Sequence, residues 1–119
     1  MKDDISIGLI GFGTVGCGVV KLLQEEKDLL EKRVGSRVVL RKVADLDITT
    51  PRIVTPDPQC LTTDAMAVIT DPNIDIVVEL MGGYEPAHSF LLKAIAAKKH
   101  VVTANKALIA THGNDLFRA

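Results

Sequence analysis

The sequence predicts a doubly wound α/β fold, a mostly parallel sheet with helices on both faces in three α/β/α layers. Three observations predict it. Short β-branched apolar runs, of the kind that fill buried parallel strands, alternate with longer segments whose apolar residues recur at helical spacing. A glycine-rich turn, Gly11-Phe12-Gly13-Thr14-Val15-Gly16, joins the first such run to the first such segment. The repeated order of strand, helix and strand builds right-handed crossovers, which lay successive strands parallel.

Residues 5–10 (ISIGLI) form the first strand, too short for a helix and ending in glycine. From Thr14 to about Arg33, Val15, Val19, Leu22, Leu23 and Leu30 share one face while Lys21, Gln24, Glu25, Lys27, Asp28 and Glu31 take the other, predicting one amphipathic helix. Lys32 and Arg33 suit its negative end, and Gly35 can take the left-handed conformation that stops it. Residues 37–44 read as the second strand, ending at Asp45. Pro51, Pro56 and Pro58 make residues 47–59 an extended surface loop with room for a short edge strand. Thr62 or Thr63 can cap a short helix through Ile69, and Asp71-Pro72-Asn73 then turns the chain into a third strand over residues 74–80. Pro86 opens a helix that runs to Lys98 and Lys99, with His88 and Glu85 as surface residues near its start. A fourth strand covers residues 100–103, and residues 107–118 continue as helix with Gly113 as a weak point.

Composition narrows the functional classes. At 119 residues the chain holds one domain, large enough to bury a core without disulfides. Lys+Arg of 14 against Asp+Glu of 15 give a net charge of −1, with no basic cluster, which argues against nucleic acid as a partner. The apolar stretch 5–20 follows two aspartates and holds five glycines, so it reads neither as a signal peptide nor as a membrane span, and the protein is expected in the cytoplasm. Cys17 and Cys60 form no CxxC pair and stand at no metal-ligand spacing from a histidine, so two reduced thiols and no metal are expected.

The turn at residues 11–16 matches G-x-G-x-x-G in the context its mechanism needs. Gly11 permits the tight turn, Gly13 lets a pyrophosphate approach the backbone, and Gly16 lets helix and strand pack closely, while free amides at the helix start attract phosphate charge. In that context the turn is expected to be the phosphate loop of a Rossmann-type dinucleotide site rather than a purely structural glycine turn. Asp45, 29 residues after Gly16, is the acceptor expected for the adenosine-ribose hydroxyls, with Asp47 as competitor. A carboxylate there favours NAD over NADP, although Arg52 or Lys42 can still receive a 2′-phosphate. Gly82 and Gly83 either let the backbone approach a ligand or form an ordinary turn. Lys106, in the row Thr103-Ala104-Asn105-Lys106, either reaches a ribose or a reacting oxygen at the sheet's carboxyl edge or is a solvated lysine at a helix start.

Three stretches together carry a family resemblance. IGLIGFGTVG (7–16), DPNIDIVVELMGG (71–83) and KHVVTANKALIA (99–110) resemble the N-terminal, nucleotide-binding part of homoserine dehydrogenase, the first shared with many dehydrogenases and the last two more specific. The resemblance implies an oxidoreductase of the aspartate pathway, interconverting L-homoserine and L-aspartate 4-semialdehyde with NAD or NADP on the route to threonine and methionine. It implies that Phe12, Thr14 and Val15 line the pyrophosphate and ribose. It puts Thr103 and Asn105 near the nicotinamide, beside the glycine pair, and gives Lys106 a part in cofactor contact and catalysis. Relatives often carry a basic residue just before the acid that ends the second strand; Ala44 stands there in this sequence, which weakens an inference of NADP use. In the family the homoserine-binding residues, a second lysine, a sodium site and the dimer-forming sheet all follow the matched segment. Residues 1–119 are therefore expected to be a truncated dinucleotide-binding domain. It would bind cofactor without turnover, with the amino-acid substrate and homo-oligomer contacts belonging to the absent part. A stand-alone NAD-sensing module and the first domain of another amino-acid or semialdehyde dehydrogenase are the alternatives.

Overall fold

The computed structural model describes residues 4–48, 56–81 and 86–103. Within them β1 (Asp4–Ile10), β2 (Arg37–Ala44), β3 (Leu61–Thr62), β4 (Ile76–Glu79) and β5 (His100–Thr103) form one five-stranded sheet in the order β3-β2-β1-β4-β5. Every pairing is parallel. The chain moves outward from β1 to β2 and β3, then crosses to the other side of β1 for β4 and β5, so the strand order reverses between β1 and β4. That is the Rossmann-type arrangement, and it opens a crevice at the carboxyl ends of those two strands.

Alternation along the buried strands assigns the layers. Leu9 and Val43 point to one face, where they pack with Phe12, Cys17 and Val20 under the first helix. Ile10, Ala44 and Val77 point to the other, against Val68, Ile69 and Ala94 of the later helices. Both faces are thus dry, as near-continuous apolar strands require.

The single helix expected over residues 14–33 is two, α1 (Thr14–Glu25) and α2 (Lys27–Val34), separated at Glu26 with φ −105° and ψ 20°. The five residues 24–28 are all polar or charged, so nothing anchors the ladder to the sheet there, and α2 buries no residue. Gly35 ends α2 in the left-handed region, φ 81°, as expected. The edge strand β3 lies just after the proline-rich stretch, following a 3₁₀ turn at Pro58–Cys60. Its residues Leu61 and Thr62 pair with Val43 and Ala44.

The cap of α3 (Ala65–Ile69) is Asp64, not a threonine: its Oδ1 accepts from the Met66 amide at 2.9 Å, while Thr62 Oγ1 accepts from the Asp64 amide at 3.1 Å. Pairing in β3 keeps Thr62 extended and moves the helix start two residues on. Pro86 precedes α4 (Ala87–Ala96), and His88 is half-buried in its first turn rather than on the surface. The helix stops before its two lysines because Lys98 turns left-handed, φ 63°. Lys99 instead sends its ammonium to the carbonyls of Asp71 and Ile74, at 2.7 Å each, pinning the turn that starts β4. Among the described residues no helix is long and apolar enough to cross a membrane.

Candidate functional site

The site begins where β1 ends. Gly11 has φ +103°, and a Cβ there would lie 2.9 Å from the Leu80 carbonyl carbon, so only glycine passes between the ends of β1 and β4. A Cβ on Gly16 would collide with the Gly11 carbonyl oxygen, which makes this glycine the contact that seats α1 on the turn. Gly13 differs from both: no atom lies within 4 Å of the position its Cβ would take. That space opens at the N-terminus of α1, where Gly13 supplies no side-chain cap and the first turn holds no acid. The positive end of the helix dipole and its unclaimed amides therefore face open volume, the arrangement that receives a phosphate.

Phe12 faces two ways. Its ring is 2% exposed, buried against Leu9, Cys17 and Val43, while its amide donates to Asp45 Oδ2 at 2.7 Å. Asp45 Oδ1 accepts from the Asp47 amide at 2.9 Å, and the Asp45 amide donates to the Thr62 carbonyl at 3.0 Å. The Gly11 amide completes the tie by donating to the Ala44 carbonyl at 2.8 Å. Asp45 is thus held at the end of β2 against the glycine turn, and Asp47 contributes its main chain to that carboxylate. Val15 is exposed on the first turn of α1.

A cavity of about 470 Å³ lies over this edge, lined by Gly11, Gly13, Asp45, Leu80, Met81 and Phe90, with Thr63 and Asp64 adding polar atoms. Its volume falls within the range that small-molecule and cofactor sites occupy. Gly11, Gly13 and Asp45 meet in one place, as the spacing predicts. Thr103 ends β5 two strands away, and its hydroxyl donates to Glu79 Oε1 at 2.6 Å. Gly82, Gly83, Asn105 and Lys106 lie outside the described residues, as does the helix expected over residues 107–118.

Sequence reasoning passed over Glu79, the last residue of β4 and a side chain with no exposed surface. Its Oε2 accepts from the Met81 amide at 2.6 Å. The available signal was an acid closing an otherwise apolar central strand, IVVE, at the edge where ligands bind.

Among the described residues the groups with displaced pKa values lie away from this cavity. Burial pushes the Cys60 thiol up, Asp57 adds to the effect and Arg41 opposes it, so the protonated form is favoured. Cys60 and the buried Cys17 are both free thiols. Burial also pushes the Asp71 carboxyl up, but bonds from the Asn73 amide and the Lys42 ammonium outweigh it and leave its pKa below the ordinary value.

Comparison with known proteins shows the family. The family model described as "Homoserine dehydrogenase, NAD binding domain" matches residues 11–119. The chain is 48% identical to a homoserine dehydrogenase of Synechocystis over 97% of its length and 46% identical to one of Bacillus subtilis over 95%. It spans 26% of the length of each of these curated relatives. A crystal structure of S. aureus homoserine dehydrogenase superposes with a TM-score of 0.89 at 36% identity, covering 98% of this chain and 30% of that one. A homoserine dehydrogenase structure from Thiobacillus denitrificans gives a TM-score of 0.84 at 39% identity, covering 97% of this chain and 26% of the other.

Proposed function

The chain belongs to the family of homoserine dehydrogenase NAD-binding domains, and from that premise we propose that it forms the cofactor-binding part of an enzyme that interconverts L-homoserine and L-aspartate 4-semialdehyde. One observation carries the proposal: the open space at Gly13 lies at the uncapped start of α1, with Asp45 hydrogen-bonded to the same turn. A nicotinamide dinucleotide fits that donor set. Its pyrophosphate meets the amides that follow Gly13, and its adenosine ribose meets the carboxylate of Asp45.

The bound nicotinamide ring supplies the hydride acceptor for oxidation of the homoserine carbinol. The residues of this chain bind and orient. The α1 amides hold the phosphates, and Asp45 selects the 2′-hydroxyl by accepting from it and repelling a 2′-phosphate, giving a preference for NAD. Lys106 receives the hydroxyl proton together with a group outside residues 1–119. Gly82, Gly83, Thr103 and Asn105 border the nicotinamide end. The chain spans 26% of the length of the curated relatives, so we assign recognition of homoserine and formation of a homo-oligomer to the remaining length of such an enzyme. We place the enzyme in the cytoplasm.

Titration of the 119-residue chain with NADH and NADPH, followed by nicotinamide fluorescence, tests the reading. NADH is expected to bind more tightly, and Asp45→Asn should move the ratio toward NADPH by about tenfold, the effect of removing one repulsive charge. Equal affinities for the two cofactors in the unaltered chain would reject the role of Asp45. In an enzyme carrying the whole family length, Lys106→Ala should lower kcat by about 10²-fold or more, and homoserine-dependent NADH formation by the 119-residue chain alone would overturn the division of labour.

A further inference from the structure

The end of the cavity that the cofactor reading gives to the adenosine is framed by the ends of β2 and β3, and Thr62 ties its two acids to one corner. The Thr62 carbonyl accepts from the Asp45 amide at 3.0 Å, and its Oγ1 accepts from the Asp64 amide at 3.1 Å. Both acids line the cavity, and among the described residues they are the only charged groups that do. Each carboxylate is also held in place: Asp45 Oδ2 accepts from the Phe12 amide at 2.7 Å, and Asp64 Oδ1 accepts from the Met66 amide at 2.9 Å. Of the two cations that could serve a 2′-phosphate, Lys42 is engaged elsewhere, bonding the Ala67 carbonyl at 3.3 Å and pairing with Asp71 at 3.2 Å. The other, Arg52, lies outside the described residues.

We propose that Asp64 is a second specificity-determining residue: its carboxylate, fixed at the same corner as that of Asp45, disfavours a dinucleotide that carries a 2′-phosphate. This rests on the cofactor reading above and extends it from one acid to two. A phosphate monoester brings about −1.5 to −2 charges at neutral pH. In a recess whose described lining offers carboxylates and no cation, each acid opposes that charge. The two act differently. Asp45 accepts from the ribose hydroxyls, whereas Asp64, whose Oδ1 holds the start of α3, works through space. Capping alone does not call for the charge, because asparagine and serine cap a helix as well as aspartate does. The charge of Asp64 can therefore be removed with the cap kept, which separates specificity from folding.

The test measures ADP-ribose and 2′-phospho-ADP-ribose by calorimetry on the 119-residue chain and its Asp64→Asn, Asp64→Ser and Asp45→Asn variants. Both ligands lack nicotinamide, so the segments that would meet that ring do not enter the comparison. Asp64→Asn and Asp64→Ser should each move the affinity ratio toward the 2′-phosphorylated ligand by about threefold at low ionic strength, as expected for a charge acting across solvent. The shift should fade in about 1 M salt, where the Debye length is about 3 Å. Asp45→Asn should move the ratio further, and urea unfolding of Asp64→Asn should match that of the unaltered chain. An unchanged ratio in both Asp64 variants, or an equal change in the affinities of the two ligands, would overturn the proposal. A shift confined to Asp45→Asn would reject Asp64 alone and leave the cofactor reading standing. Failure of the unaltered chain to bind either ligand would instead reject the cofactor reading, and would remove this proposal with it.

Discussion

At the amino edge of the sheet polar groups close on one another, whereas at the carboxyl edge they hold an opening in place. Lys99 spans two carbonyls of the turn before β4. Lys42 bonds the Ala67 carbonyl at 3.3 Å and pairs with Asp71 at 3.2 Å. Asp75 accepts from the Ser6 amide at 2.8 Å and returns its own amide to the Ser6 carbonyl at 2.8 Å. These bonds staple α3, β1, β2, β4 and the chain entering β5 together. At the other end Asp45 and Glu79 also accept from amides, but the amides belong to turns that border the cavity at Gly13. The same chemistry thus serves a rigid base on one edge and a shaped recess on the other, which is why ligands of such sheets collect at one end only.

The sharpest way to break the contrast is Gly16→Ala. The added methyl meets the Gly11 carbonyl oxygen, backbone against backbone, so α1 has to move off the turn. A loss of about 3 kcal/mol in urea unfolding is expected, with loss of NADH binding, because overpacking against main chain finds no easy relief.

Gly13→Ala separates the two properties. With open space around its Cβ and φ −84°, alanine fits here, so unfolding should change by about 1 kcal/mol or less. The methyl occupies the approach of the pyrophosphate, however, and NADH affinity should fall by about tenfold or more in the same titration. A Gly13→Ala protein that binds normally would show that the phosphates lie elsewhere.

Asp71→Asn is the smallest and opposite case. The Asp71 side chain is 11% exposed and its carboxyl titrates below the ordinary value, since the Asn73 and Lys42 contacts outweigh burial. A folded-state pKa below the unfolded one gives stability that is present above the unfolded value, about 3.9, and disappears as pH falls through the folded one. The variant should therefore be less stable by about 1 kcal/mol at neutral pH. Its deficit should persist down to about pH 4 and shrink only as pH falls further, through the lowered folded-state value, in acid unfolding curves, while cofactor affinity stays at the unaltered value.

How much of this was legible in the sequence follows the same division. Strand β2 and strand β5 were readable to the residue, because apolar runs bounded by Gly35 and Asp45, or by the lysine pair and the TANK row, have clear ends. The glycine turn and the place of Asp45 beside it were readable because the tight turn from β1 into α1 admits only glycine at positions 11 and 16, and β2 ends at its side. Three features were not. The break at Glu26 was hidden because helical propensity continues through residues that nothing anchors. The cap at Asp64 was hidden because the two-residue pairing of β3 is a tertiary event. Glu79 was hidden because a strand pattern of apolar residues predicts burial, and burial argues against an acid; of the two bonds that reconcile them, one joins residues 24 apart in sequence.

Phe12 uses its two halves for two different neighbours. Its ring answers to the volume between Leu9, Cys17 and Val43, and its main chain answers to Asp45. The position thus meets two separable demands, one for interior bulk and one for an amide that any residue except proline carries, so a change of ring for another large apolar side chain alters the interior while leaving the bond to Asp45 in place.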